Sequence, residues 1–109
     1  MIKALTPQQA NELLSRGEVD VVDVREPHEW SGGHLPGARL VPLAQFRANP
    51  KAALERDGVV FVCAAGVRSE TAARVAAGLG YAKVYNLSGG TRAWVKAGFA
   101  LVGDLSVAV

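Results

Sequence analysis

Only one cysteine, Cys63, occurs among the 109 residues. A single thiol cannot close an internal disulfide. With the two histidines it offers three Cys or His ligands, where a structural zinc site normally takes four. A redox scaffold and a zinc module are both disfavoured, and no metal or other cofactor is expected. No apolar run approaches the roughly 20 residues of a membrane span. The stretch "MIKALTPQQANELL" lacks the basic, apolar and small-residue succession of a signal peptide. These absences lead us to expect a cytoplasmic protein without a membrane partner. Repeats, linkers and low-complexity tracts are also missing. A net charge of +2, carried by scattered Lys and Arg, is too small for a nucleic-acid footprint.

What is present fits one soluble domain over residues 1–109. The length is near the commonest domain size, enough to bury about two-thirds of the unfolded surface. Half of the residues are hydrophobic and 20% charged, as in ordinary globular chains. The charge is unevenly spread: eight of the ten acids precede Gly58, whereas Gly58 to Gly103 holds Glu70 against Arg68, Arg74, Lys83, Arg92 and Lys96. The half that contains the thiol is electropositive, which favours an anionic ligand.

Hydrophobic periodicity and punctuation give the elements. "TPQQANELLSRG" reads as a helix with Thr6 as N-cap, Pro7 at the first helical position and Gln9 completing a capping box. Ala10, Leu13 and Leu14 lie on one face. "VDVVDV" (Val19 to Val24) reads as a mostly buried strand, and "REPHEWSGGHLPGA" as a loop with one helical turn around His28 to Ser31. "ARLVP" is a short strand, "LAQFRANPKAALERDG" one or two short helices broken at Pro50, and "VVFVC" a strongly apolar strand. "SETAARVAAGLG" places Ala72, Val75, Ala76 and Leu79 at helical spacing, with Ser69 as N-cap and Gly80 as terminator. "KVYNL" is another strand and "GGTRAWVKAG" a last short helix. With "IKAL" at the start, about five strands alternate with helices. This pattern calls for an α/β fold with a parallel sheet and helices on both sides.

In an open parallel sheet, ligands bind beyond the carboxyl ends of the strands, and Cys63 lies there. The loop after it runs Ala64, Ala65, Gly66, Val67, Arg68 and then turns into a helix at Ser69. The first N–H groups of that helix have no partners of their own. Such a loop can curl its N–H groups into a cup for an anion, with the helix dipole and Arg68 adding positive potential. A thiolate fits that cup. A lone cysteine is more often an inert buried residue. An inert one, however, needs neither a Gly-Arg loop nor a helix start behind it, whereas a reactive thiol needs an electropositive, partly open site.

"CAAGVRS" after an apolar strand, "DVREPHEWSGGHLPGA" upstream and "NLSGGTRAW" downstream together resemble the rhodanese superfamily of single-domain sulfurtransferases. The resemblance covers about Ile2 to Gly98 and leaves residues 99–109 as an apolar C-terminal tail. It implies the rhodanese-like fold, a five-stranded parallel sheet flanked by helices, with Cys63 as the catalytic nucleophile. By the same resemblance, Cys63 takes the outer sulfur of a small anionic donor such as thiosulfate. It then passes that sulfur from a persulfide to cyanide, a thiol or a protein acceptor. The N–H groups of Ala64, Ala65, Gly66, Val67, Arg68 and Ser69 are the expected substrate-binding cup. Arg68 either holds the donor or braces the loop through a carboxylate, for which Asp23 is the candidate. Ala64 and Ala65 give this loop no charged side chain ahead of Arg68, where some thiosulfate-using relatives carry a basic one.

Other residues invite blander readings. His28 and His34 could be general bases, but a histidine bonded to loop backbone is the better reading of "GGHLPGA". Trp30 and Trp94 read as core filling, and Gly89 and Gly90 as the turn into the last helix. The tail "FALVGDLSVAV" packs either on the body or on a neighbour. A phosphatase or arsenate reductase is the runner-up enzyme. Its loop has five residues between Cys and Arg to wrap a tetrahedral oxyanion, and here there are four. A regulatory or protein-binding module without catalysis is the third reading, weakened by the presence of the cysteine.

Overall fold

A computed structural model describes residues 2–103. Its elements, in chain order, are β1 (Ile2–Leu5), α1 (Pro7–Ser15), β2 (Asp20–Asp23), α2 (Pro27–Trp30), β3 (Arg39–Leu40), α3 (Leu43–Ala48), α4 (Pro50–Ala53), β4 (Val59–Val62), α5 (Val67–Gly78), β5 (Val84–Leu87) and α6 (Gly90–Lys96). All strand pairings are parallel, and the five strands lie in the order β1-β5-β4-β2-β3. β4 is therefore central, between β2 and β5, and its four residues are all buried. A strand covered on both faces has no need of alternating polarity, and "VVFV" has none.

Alternation along the strands divides the core into two faces. On one, Val22, Phe61, Val59 and Val84 meet Phe46 of α3, Ala53 of α4 and Ala72, Ala73 and Ala76 of α5. On the other, Val21, Val60, Val62 and Leu87 meet Ala10 of α1 and Trp94 of α6. The small alanines of α5 let that helix lie close over β4 and β5, which brings its N-terminus over the end of β4. Val75 is half-buried and Leu79 is 43% exposed. The buried stripe therefore runs through Ala73, where the periodicity had placed Leu79.

Local signals explain most boundaries. The capping box at Thr6 is formed in both directions, Thr6 Oγ1 accepting from Gln9 N–H and Gln9 Oε1 from Thr6 N–H. Asn49 separates α3 from α4, and Pro50 opens α4. The start of α5 departs from expectation. The helix begins at Val67, capped by Gly66 with φ +99°, so Ser69 sits inside the first turn and its side chain is free for other work. Phe99 and Leu101 pack on the face that holds Trp94, and Val102 forms an antiparallel bridge with His34. This part of the tail thus lies on the body, and residues 104–109 lie outside the described residues. Among the described residues, no helix is long and apolar enough to cross a membrane.

Candidate active site

Cys63 follows the last residue of β4 and is 1% exposed. The chain then has to reverse from strand to helix within three residues, and Gly66 makes this possible by taking a left-handed φ. The reversal turns the Gly66 N–H back onto Cys63 Sγ at 3.1 Å. Ser69 Oγ lies 3.3 Å from the same sulfur. α6 supports the loop from below: Thr91 N–H donates to the Cys63 carbonyl at 2.9 Å and Arg92 N–H to the Ala64 carbonyl at 3.2 Å. The exposed residues of the loop are Ala65 and Val67.

Two opposing influences act on the thiol. Burial pushes it up, because the charged form loses hydration. The Ser69 hydroxyl and the N–H groups of Ser69, Ala65 and Gly66 push it down, and the net direction is below the ordinary thiol value. Of the six residues expected to form the cup, Gly66 donates its N–H to the sulfur and Ser69 meets it through its hydroxyl. The first turn of α5 adds its dipole along the same axis.

Arg68 faces elsewhere. Its Nη1 and Nη2 donate to Glu29 Oε1 and Oε2 of α2 at 2.7 and 2.9 Å. The fork-to-fork geometry makes it a brace that ties the cysteine loop to α2. The carboxylate that serves Arg68 is therefore Glu29, not Asp23. Asp23 is fully buried and accepts from Arg25 Nε and Nη2 at 3.0 and 2.8 Å. Arg25 in turn donates to the carbonyls of Gly33 and Glu29. Asp23 thus orders the loop that carries α2, one step removed from the cysteine loop. Nothing in the sequence distinguishes Glu29 from Glu26, the other acid of "REPHE", because its partner lies 39 positions away.

The Arg68 guanidinium pulls the Glu29 carboxyl down to about 2 from its ordinary 4.5. A depressed carboxylate contributes stability that is fully present above about 4.5 and is lost as pH falls from there through about 2. The brace therefore holds throughout the neutral and mildly acidic range. The Cys63 thiolate and Arg68 also feel each other's charge. Replacing Arg68 by alanine leaves Glu29 uncompensated and should raise the Cys63 midpoint by a fraction of a pH unit. Glu29→Gln leaves the cation uncompensated and should lower it. Thiolate absorbance followed against pH checks both signs, and shifts in the same direction would mean that the pair acts only through loop geometry.

The other polar candidates stand apart from the sulfur. His28 is exposed on α2. His34 places Nδ1 3.2 Å from the Trp30 carbonyl and stacks on the Trp30 ring at 3.4 Å. Trp30 is thus a half-buried stacking partner, whereas Trp94 fills the core as expected. Besides Glu29, one residue of this site was missed in the sequence. Asn86 of β5 is 8% exposed, accepts from Ser69 Oγ at 2.5 Å and donates to the Gly66 carbonyl at 3.1 Å. An asparagine inside an otherwise apolar strand, against its β propensity, was the signal available.

The profile of the family described as "Rhodanese-like domain" matches residues 6–97. A thiosulfate sulfurtransferase of Ectopseudomonas mendocina is 37% identical over 92 residues, 84% of each chain. The structure of a rhodanese-related protein from Thermoplasma volcanium superimposes with a TM-score of 0.84 at 28% identity, over 94% of this chain and 99% of that one. A Rhodopseudomonas palustris protein of unknown function, described as a possible tyrosine phosphatase, superimposes with a TM-score of 0.82 at 31% identity, over 93% and 85% of the two chains.

Proposed function

The chain belongs to the rhodanese family, and on that premise we propose that it moves a sulfane sulfur from a small anionic donor to a nucleophilic acceptor through a persulfide on Cys63. The observation that carries the reading is the single thiol at the end of β4, set between the Gly66 N–H at 3.1 Å and the Ser69 hydroxyl at 3.3 Å and lowered below the ordinary thiol value. With thiosulfate as donor, Cys63 Sγ attacks the outer sulfur. An Sγ–S bond forms, the donor's S–S bond breaks, and sulfite leaves with the electron pair. The negative charge then sits on the outer sulfur of the persulfide, one bond further into the cup, where loop N–H groups can receive it. Cyanide attacks that sulfur, thiocyanate leaves, and the Cys63 thiolate returns. Neither half-reaction consumes a proton, so no histidine base is required.

Two features favour small donors. Cys63 is 1% exposed, and the loop carries only Ala64 and Ala65 between the thiol and Gly66. A protein acceptor would present a thiol to the rim formed by Ala65 and Val67, the latter 74% exposed.

The tyrosine phosphatase suggestion attached to the Rhodopseudomonas palustris relative supplies the alternative reading. Phosphoryl transfer to a cysteine relies on an arginine aimed at the equatorial oxygens. Both terminal nitrogens of Arg68 are occupied by Glu29, which argues against that role. Initial rates with varied thiosulfate and cyanide should give the parallel double-reciprocal lines of a two-step displacement. Aryl phosphate hydrolysis should stay at background. Intersecting lines, or hydrolysis that depends on Cys63, would reverse the assignment.

A further inference from the structure

The four groups around the sulfur form a closed ring whose hydrogens can be counted. Asn86 Nδ2 faces the Gly66 carbonyl at 3.1 Å, and a carbonyl can only accept. This fixes the amide, so Oδ1 is the atom facing Ser69 Oγ at 2.5 Å. Oδ1 cannot donate, so the one hydroxyl proton of Ser69 points at Asn86. Ser69 Oγ then meets Cys63 Sγ at 3.3 Å as an acceptor, and the donor is the thiol S–H. The Gly66 N–H on Sγ closes the ring.

Ionisation breaks this arrangement. A thiolate has no proton to give and needs donors, while Ser69 has a single proton that cannot serve both Sγ and Oδ1. If the hydroxyl turns to the thiolate, Oδ1 of a buried asparagine is left without a donor, an expensive vacancy. We propose, building on the persulfide reading above, that Asn86 is a positioning residue that competes with the thiolate for the single Ser69 hydroxyl proton and so keeps the Cys63 sulfur more basic and more nucleophilic than an unopposed Ser69 would leave it. Once Sγ is bonded to an outer sulfur it no longer carries the charge. The Ser69 proton is then free to return to Asn86, which favours the persulfide over the bare thiolate. Asn86 has no hydrogen bond to Sγ itself and reaches the sulfur through Ser69, while its Nδ2 holds the Gly66 carbonyl.

The charged groups around the loop do not provide this effect. Arg68 is tied to Glu29 on α2, Asp23 to Arg25 beyond β2, and Glu70 to Arg74 on the outer face of α5. Arg92 of α6 meets the loop through its backbone N–H. β5 contributes only Asn86. The loop also has anchors besides Asn86. The Gly66 carbonyl accepts from Glu70 N–H at 3.3 Å, and α6 holds the carbonyls of Cys63 and Ala64.

These facts give the test an unusual sign. A purely structural Asn86 would, when lost, loosen the cup and raise the thiol midpoint. The ring predicts the reverse for Asn86→Val: the Ser69 proton is released to the sulfur, and the midpoint of thiolate absorbance falls by about one pH unit, the size of one charge-assisted hydrogen bond. The alkylation rate of the fully ionised protein should fall about threefold alongside it, as nucleophilicity follows basicity. Ser69→Ala should raise the midpoint, and the double variant should match Ser69→Ala. Asn86→Ala serves if the valine variant does not fold by circular dichroism. A midpoint that rises or stays put in the folded Asn86 variant, or a double variant that keeps the fall, overturns the proposal. Because the readout is the thiol itself, failure here is distinguishable from failure to form a persulfide.

Discussion

Cys63→Ser should lower thiosulfate-to-cyanide turnover by at least about a thousandfold, the scale on which loss of a covalent nucleophile is felt. The serine oxygen can occupy the place of Sγ and accept from the Gly66 N–H, so the cup persists. The chemistry does not. A hydroxyl in this cup remains protonated at neutral pH, and an oxygen nucleophile offers no stable counterpart of the S–S bond that stores the transferred sulfur. No second thiol exists to take over. Thiocyanate formation measured on parent and variant at equal folded concentration decides the matter. Turnover within tenfold of the parent would place the nucleophile outside Cys63.

The second large effect is structural and lies at the start of α6. Gly90 has φ +62°, and a Cβ there would fall 2.2 Å from the Cys63 carbonyl oxygen and 2.5 Å from the Ala64 carbonyl carbon and oxygen. All of these are backbone atoms, so no rotamer change relieves the overlap. The loop or α6 must move by about an ångström or more to restore normal contact distances. This is also where the N–H groups of Thr91 and Arg92 hold the cysteine loop. Gly90→Ala should therefore destabilise the protein by about 2–4 kcal/mol, combining a left-handed alanine with overpacking, and lower Tm by roughly 10–20 °C. Sulfur transfer by the molecules that remain folded should fall as well. Gly98→Ala is the control: φ is +94° with nothing within 4 Å, so only the conformational cost applies, about 1–2 kcal/mol. Equal losses in urea unfolding of the two variants would remove the argument from close approach.

These sites also show where the sequence is informative. Local chemistry was legible. The capping box at Thr6, the break at Pro50, the glycine turn at Gly80 and the apolar "VVFV" each follow from residues within a few positions, and the alternation of elements fixed the α/β class. The thiol was legible for a related reason, since a strand end, a glycine and a helix start are all local. Pairings across the fold were not. Glu29 and Arg68 meet only because β2 and β4 are neighbours, and the expected acid Asp23 is taken by Arg25 two residues on. Ser69 had the right residue type for an N-cap. The left-handed Gly66 started the helix earlier, and the hydroxyl went to Asn86 on a strand 17 positions away. Gly90 read as a turn glycine, and its close approach to the cysteine loop appears only in three dimensions.

The most direct test of the persulfide reading is the intact mass of the parent protein after incubation with thiosulfate and removal of excess donor. The account predicts a gain of one sulfur atom per chain, located on Cys63 by peptide mapping, removed on adding cyanide and not formed on Cys63→Ser. An unchanged mass with thiosulfate and with a persulfide donor alike, or the same gain on the serine variant, would contradict it.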